Sequence, residues 1–457
     1  MCRVGILQSH GNSMSNNDGS DVLADSPHLI ARLIRGISHS VGSQRLALQN
    51  LSGLMVFNFL AAGLMFVANA YVANVVGKTQ FGLFAFAVAL GHYAQTAVRF
   101  GAERTLVRDI VHEPHLFVEL TLGSLLLRSA VFVLCCITLF VWLMTSHSAA
   151  GSRWGLAMIV ASHGLFSLDF QALYDTWHKM SRHAAYNFIR RASFSAAVFA
   201  TGHWAPARLT LNSVGLYMLG STVLYLGLQY SWALKRMEIR RHTTSLAAMA
   251  IRLLKQNYWM CLTTLVALSF SSLNQLLLKH FKGAAELGGY AASWQIAMAA
   301  TLMLQQIARI GNPKMAQITR AEVHKGVRIS FVFRYSIVMF AAAAVIGVPA
   351  MLCPRLILGW VFKPEYLSAA SILRLLGAYV VVYSLGSVAS QYVVSARMER
   401  IYFGSVVAGG VVSIILCFVL IPRYMGLGAG WSLVISHGLA MLAYWLAMVY
   451  HVRKQPR

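Results

Sequence analysis

The sequence predicts an all-α integral membrane protein with about 12 transmembrane helices, arranged as two parallel-repeat six-helix bundles. Three observations carry this prediction. The 457-residue chain is 58% hydrophobic and only 11% charged, with a mean hydropathy of +0.61, whereas a soluble domain carries roughly 25% charged residues. Its apolar residues fall into runs of the length that crosses a hydrocarbon core, about 20 residues of helix for about 30 Å. The two halves also align with each other, without gaps, at a shift of 206 residues that carries Gly77 onto Gly283.

The runs in the first half lie at 51–76, 82–99, 119–144, 154–173, 185–203 and 209–232. Those in the second half lie at 257–277, 288–308, 331–352, 367–394, 401–421 and 427–449. The weakest is 185–203, which Arg190 and Arg191 interrupt. The expected organisation is a tail at 1–48, a bundle at 49–232, a basic linker at 233–255, a second bundle at 256–451 and a short tail at 452–457. Residues 1–48 lack a basic start followed by an apolar run, so no cleavable signal peptide is expected there. Within that tail, 11–25 is rich in Ser, Asn and Asp and reads as disordered, and 28–37 reads as a short interfacial helix carrying Arg32 and Arg35.

A net charge of +24 from 38 Lys and Arg against 14 Asp and Glu invites a nucleic-acid reading. The placement of the charges argues against it. Alternate loops hold most of the Lys and Arg, as in Arg104 and Arg108, Lys179 and Arg182, Lys235 to Arg241, Lys314 to Arg328, and Arg397 and Arg400. The intervening loops hold few, among them Lys78, Arg153, Arg208, Lys279 and Lys282. This is the positive-inside asymmetry, and it puts both termini in the cytoplasm. No soluble domain interleaves basic residues with aromatics, so no nucleic-acid partner is expected. The six cysteines show no CxxC pair and fall mostly within spans, where they read as apolar filler.

In the repeat, the segment Gly77 to Ala85 runs against Gly283 to Ala291, and Arg108 falls on Lys314. Six spans separate the copies, so both have the same orientation. In transporters built from such repeats, the substrate site lies between the copies near the bilayer midplane.

Charge inside the spans is costly and marks function by default. Asp169 is the one acidic residue deep in an apolar stretch, whereas Arg128, Arg190, Arg191 and Arg374 all lie within such stretches. A cation pump needs buried carboxylates and a carrier of anions needs buried cations. This chain has the second inventory.

Some segments resemble a known family. They are the turn "VANVVGKTQFGLFAFA", the stretch "DFQALYDTWHKMSRHAAYNFIRRASF", and a C-terminal region in which "ARMER" joins two spans and a Gly-x-Gly-Ala turn precedes the last. In these the chain resembles the oligosaccharide flippases of bacterial polysaccharide synthesis, in the multidrug/oligosaccharidyl-lipid/polysaccharide exporter superfamily. The likeness runs from about Leu51 to Tyr450 and rests on small residues, turns and spacing. It implies a bacterial inner-membrane protein that flips an undecaprenyl-pyrophosphate-linked repeat unit, for O-antigen or exopolysaccharide, from the cytoplasmic to the periplasmic leaflet by alternating access. It also implies a monomer, with membrane lipids and the polysaccharide polymerase and chain-length machinery as partners. No cofactor is expected. A pyrophosphate diester is an anion, and Arg meets phosphate oxygens bidentately.

Arg128 stands about nine residues into its span, ~13 Å deep at 1.5 Å per residue. There it either faces a cavity or pairs with Asp169 or a backbone carbonyl. Arg190 and Arg191 point about 100° apart on a helix, so both cannot squarely face one cavity, and headgroup snorkelling is the competing role. Arg99 and Arg309, at matching helix ends, are candidates to receive the pyrophosphate, against ordinary positive-inside anchoring. Arg374 enters from the basic-poor side. Asp169 is either a coupling carboxylate or the partner of Arg190 or Arg191, and the ion pair is the preferred reading. Asn58, His92, Gln95, Asn274, Gln275 and Gln295 are polar candidates for a cavity wall or for bonds between helices.

Other motifs fail. Gly77-Lys78-Thr79 resembles the end of a phosphate loop, but the required earlier glycine is Val72. No His-Glu-x-x-His or Asp-x-Asp pair is present, so no metal site and no enzyme are expected. Two alternatives to the flippase remain. A cation-coupled multidrug exporter of the same superfamily is disfavoured by the scarcity of buried carboxylates. An integral-membrane glycan polymerase is disfavoured by the short outer loops.

Overall fold

Backbone in hydrocarbon must satisfy its own hydrogen bonds, so the apolar runs form helices. A computed structural model of the chain describes residues 56–145, 152–237, 245–319 and 324–454. The predicted tail 1–48, with its disordered and interfacial segments, lies outside these residues, as do 455–457. The first half comprises α1 (Val56–Val76), α2 (Lys78–Arg99), α3 (Ala102–His112), α4 (Phe117–Thr145), α5 (Arg153–Phe166), α6 (Gln171–Thr176), α7 (Met180–Trp204) and α8 (Leu211–Leu234). The second comprises α9 (Leu246–Leu268), α10 (Asn274–Lys282), α11 (Ala284–Ile318), α12 (Lys325–Leu352), α13 (Pro354–Val361), α14 (Ala370–Ser395) and α15 (Glu399–Lys454). Among the described residues there is no β-strand.

Among the described residues, eight helices are long and apolar enough to cross a membrane. The last of them is two helices joined at a kink, where Met425 takes a φ of 53° just beyond Pro422. Three more have the length but carry more polar residues: α7, α11, and α9 continued through the π turn Ser269–Leu273 into α10. Dividing the last helix and adding these three gives the twelve membrane-length helices that hydropathy predicts.

Two short helices occupy segments that read as loops. α3 is amphipathic, with Ala102, Leu106 and Ile110 buried along one face at a spacing of four residues. α13 starts at Pro354, where the missing N–H is harmless. Helix also begins at Leu246, inside the segment 233–255 read as linker. The basic residues there masked a face, Met249, Ala250 and Leu253, that is buried.

The repeat is visible in the backbone. Gly77 and Gly283 take φ of 82° and 87° with ψ of 165° and 176°, a region open essentially to glycine alone. Each starts the next helix, α2 or α11, and these two helices cross each other. At the crossing, a Cβ on Gly82 would overlap the carbonyl of Ala284, and one on Gly288 would overlap the carbonyl of Lys78. The 206-residue shift carries one contact onto the other, Gly82 onto Gly288 and Lys78 onto Ala284. Further bonds close this end. Asn74 Nδ2 donates to Val361 O at 2.9 Å and accepts at Oδ1 from Lys363 N at 2.8 Å, while Tyr366 donates to Ala73 O at 2.9 Å. Lys78 N donates to Glu365 at 3.1 Å, and Lys78 Nζ donates to Ser368 Oγ at 2.8 Å.

At the opposite end, α9 packs against the first half. Met249, Ala250 and Leu253 meet Leu106, Ile110, Leu120 and Leu127 of α3 and α4. Arg252 forms a fork on Glu113, with Nη1 to Oε2 at 3.0 Å, and holds that carboxyl below its ordinary value. Further along, Val266 and Phe270 press on Gly409 and Gly410 of α15. The helix thus ties both halves together, and Gly53–Arg457 forms one unit.

Candidate functional site

The span containing Asp169 is interrupted. α5 ends at Phe166 and α6 starts at Gln171, which frees carbonyls that hydrocarbon cannot solvate. Side chains from neighbouring helices satisfy them. Arg128 Nη1 donates to Ser167 O at 3.0 Å and Asp169 O at 2.9 Å, Tyr230 donates to Leu168 O at 2.6 Å, and Phe170 N donates to Gln229 Oε1 at 3.0 Å. Of the two roles open to Arg128 from the sequence, this geometry matches the backbone partner. Arg128 is buried and is not part of the cavity wall described below.

The Asp169 carboxylate is 2% exposed. Arg99 Nη2 lies 3.8 Å away, Arg128 Nη1 3.9 Å and His183 Nε2 3.8 Å, and Tyr225 donates to Oδ2 at 3.4 Å. The carboxylate is therefore ringed by Arg99 and by Arg128, the second a partner that the sequence also offers, and not by Arg190 or Arg191, the partners it favours. Arg190 instead lies over the Phe166 ring, 4.3 Å from its centroid, and bonds Asn187 Oδ1 at 3.1 Å. Arg99 sits 5.4 Å from the same ring. An aromatic ring attracts both guanidiniums through its quadrupole, so the two cations share a neighbour that carries no charge.

One substitution separates these roles. Arg128→Ala should lower the amount of inserted protein, because breaking a buried charge network costs about 3–5 kcal/mol. Adding Asp169→Ala should not restore it, since the carbonyls of Ser167 and Asp169 stay unmet. Immunoblots of membranes test this, and wild-type levels of Arg128→Ala would exclude the structural role.

Between the halves lies a cavity of about 390 Å³. Among the described residues, Arg190 and Arg191 are the charged residues of its wall, which contains no Asp or Glu. Both are half-buried, so the angle between them removes neither from the cavity. Four of the predicted polar residues join them: His92 and Gln95 from α2, Gln275 from α10, and Gln295 from α11. Gln295 Nε2 donates to Phe66 O at 2.7 Å, and the His92 and His163 rings meet edge to face at 5.3 Å.

The other candidates lie elsewhere. Asn274 is buried, donating to Tyr290 Oη at 2.7 Å and accepting from Gln275 N at 2.8 Å, so it fixes the start of α10. Asn58 is half-buried in the first turn of α1, outside the cavity wall. Arg309 is exposed and lies inside α11, which continues to Ile318, so it does not mark a helix end. Arg374 is exposed beside Arg355, in a separate surface pocket, and donates to Met351 O at 3.2 Å.

Two residues escaped the sequence reading. Asn69 lines the cavity from α1, and its signal was a side-chain amide in an apolar run that also holds Asn58 and Asn74. Arg328, counted as a loop charge, is fully buried and donates to Ile318 O at 2.9 Å.

The family model for polysaccharide biosynthesis proteins matches residues 47–319, more than half of the chain. No curated protein matches the sequence. Among solved structures, an inward-facing multidrug resistance MATE family transporter of the MOP superfamily aligns with a TM-score of 0.64 at 14% identity, over 89% of this chain and 98% of that one. The lipid II flippase MurJ, in an inward closed conformation, aligns with a TM-score of 0.62 at 12% identity, over 88% of this chain and 89% of that one. An outward-facing MATE family transporter of the MOP superfamily gives 0.54 at 14% identity, over 89% of this chain and 95% of that one. At such identities the likeness is one of fold. By the family match the chain belongs to the polysaccharide biosynthesis protein family, and its fold is similar to that of these MATE transporters and of MurJ.

Proposed function

We propose that the protein flips an undecaprenyl-pyrophosphate-linked oligosaccharide from the cytoplasmic to the periplasmic leaflet of a bacterial inner membrane. The observation that carries this is the cavity between the halves, whose wall holds two arginines and no carboxylate. Such a wall attracts a diphosphate and repels an organic cation. Arg keeps its charge at any physiological pH and offers a bidentate donor pair to phosphate oxygens. Asp169, the carboxylate that a cation-coupled multidrug exporter would need, is already ringed by cations behind Phe166. No step in this process makes or breaks a covalent bond, so the protein acts as a carrier and not as an enzyme.

The test is deletion of the gene. Polymer export should stop and lipid-linked repeat units should accumulate, while resistance to cationic dyes stays unchanged. Lost dye efflux with normal polysaccharide would move the protein to the multidrug branch.

Direction follows from loop charge. The Gly77–Gly283 end carries few basic residues and faces the periplasm in this reading, and both termini face the cytoplasm. Alkaline phosphatase fused after Lys235 or at the C-terminus should be inactive, and fused near Lys279 it should be active. The opposite pattern would invert the orientation.

A further inference from the structure

A second cavity, of about 380 Å³, lies among α9, α11, α14 and α15. Its wall has a different chemistry from the first. Among the described residues it contains no Asp, Glu, Lys or Arg, and much of its surface is made by Phe270, Trp294, Tyr379, Tyr383, Tyr402 and Tyr444. The rings brace one another: Tyr379 lies 5.8 Å from Trp294, 5.9 Å from Tyr383 and 5.1 Å edge-on from His437. Tyr402 stacks on Tyr444 at 5.6 Å. Between them stand small hydrogen-bonding groups, Thr301, Ser387, Ser390 and Gln305, the last donating to Tyr383 Oη at 3.2 Å. Trp294 and Met298 belong to both walls, so the two cavities adjoin across α11.

Each simple occupant leaves part of this wall unexplained. A lipid chain has no use for its amide and hydroxyls, an anion would need a cation, and an organic cation, which aromatic rings can hold without a carboxylate, would leave the amide and hydroxyls without a role. A sugar ring answers both parts. Its C–H faces lie flat on aromatic rings, and its hydroxyls exchange hydrogen bonds with amides, hydroxyls and phenols. The volume is in the range of about 300–1,000 Å³ typical of small-ligand pockets. We infer that the second-half cavity is a glycan subsite, taking uncharged sugar rings of the substrate whose diphosphate sits against Arg190 and Arg191. This rests on the flippase reading, which supplies the diphosphate. It adds a division of labour, with charge recognised in the first half and sugar in the second.

Two probes test it on the full-length protein in lipid nanodiscs. One is undecaprenyl pyrophosphate without sugar. The other is the glycosylated lipid extracted from cells lacking the gene. Gln305→Leu and Tyr402→Leu remove polar or ring surface with little change of volume, and Tyr383→Phe removes one hydroxyl. Gln305→Leu and Tyr402→Leu should each weaken the glycosylated probe tenfold or more, Tyr383→Phe should weaken it less, and none should move the sugar-free probe. Arg190→Ala with Arg191→Ala should weaken both probes. The glycan subsite is overturned if the second-half variants weaken both probes alike, if they weaken neither, or if sugar adds no affinity in the wild type. A wild type that binds neither probe overturns the flippase reading itself, and the subsite with it.

Discussion

Replacing Arg190 and Arg191 together with Ala should abolish export while leaving inserted protein near the wild-type amount. Neither arginine forms an ion pair among the described residues, so their removal strands no buried charge. Both stand in the cavity wall, half-buried, and the Arg190 guanidinium is supported by Phe166 and Asn187 and not by a carboxylate. A hydrogen bond to a charged group is worth roughly 1.5–3 kcal/mol, and about 1.4 kcal/mol is a factor of ten. The single variants should therefore lose about ten- to a hundredfold in transport, and the double variant more. Lys at either position should retain part, because charge survives without the planar fork. Polymer at the cell surface and protein by immunoblot are the two measurements. Normal export by the double variant would remove the cavity from the mechanism. Lost protein would instead class these residues with Arg128.

Substitution at the α2–α11 crossing should be as damaging by a different route. A Cβ at Gly82 or Gly288 meets a backbone carbonyl, which cannot rotate away as a side chain can. Overpacking typically costs about 1–3 kcal/mol, and here the remedy is separation of the two helices. Gly82→Ala and Gly288→Ala should each spread the Gly77–Gly283 end and stop export. Gly220→Ala on α8, where a Cβ meets nothing within 4 Å, should be tolerated. The readout is labelling of a Gln275→Cys probe by an impermeant maleimide, with the native cysteines replaced by Ser. Labelling should rise in the crossing variants and stay unchanged in Gly220→Ala. Equal labelling in all three would mean that the crossing does not close the cavity.

The helices and their repeat were legible because hydropathy and small-residue turns are local signals. Gly77 and Gly283 could be read as turn residues from their spacing alone, and both have the backbone angles that require glycine. The destination of each charge was not local. Asp169 lies 41 residues from Arg128 and 70 from Arg99 in sequence; their depth in the spans made the first pairing one of the alternatives, and nothing near Asp169 announces Arg99. The adjacent pair Arg190 and Arg191 looked fit for snorkelling, a choice that depends on which helices stand against α7. The break at 167–170 was hidden for a related reason. Ser-Leu-Asp-Phe is unremarkable as helix, and it opens because Arg128, Gln229 and Tyr230 offer its backbone other partners. α3 and the start of α9 were missed because basic residues on one face obscured the apolar face opposite.

The crossing of α2 and α11 also bears on ancestry. Gly82 meets Ala284 and Gly288 meets Lys78, so each copy offers its partner the same surface it receives. Reciprocity of that kind is what a homodimer makes on its twofold axis. The contact has the form of a dimer of six-helix chains joined into one polypeptide. Fusion frees two identical subunits to diverge wherever they do not touch, and here the first half gives two arginines to the cavity between the halves while the second encloses one lined with aromatic rings. On the axis that freedom is absent, because any bulk gained by one copy must be accepted by the other. The glycines at the crossing are the part of the old symmetry that the division of labour could not erase.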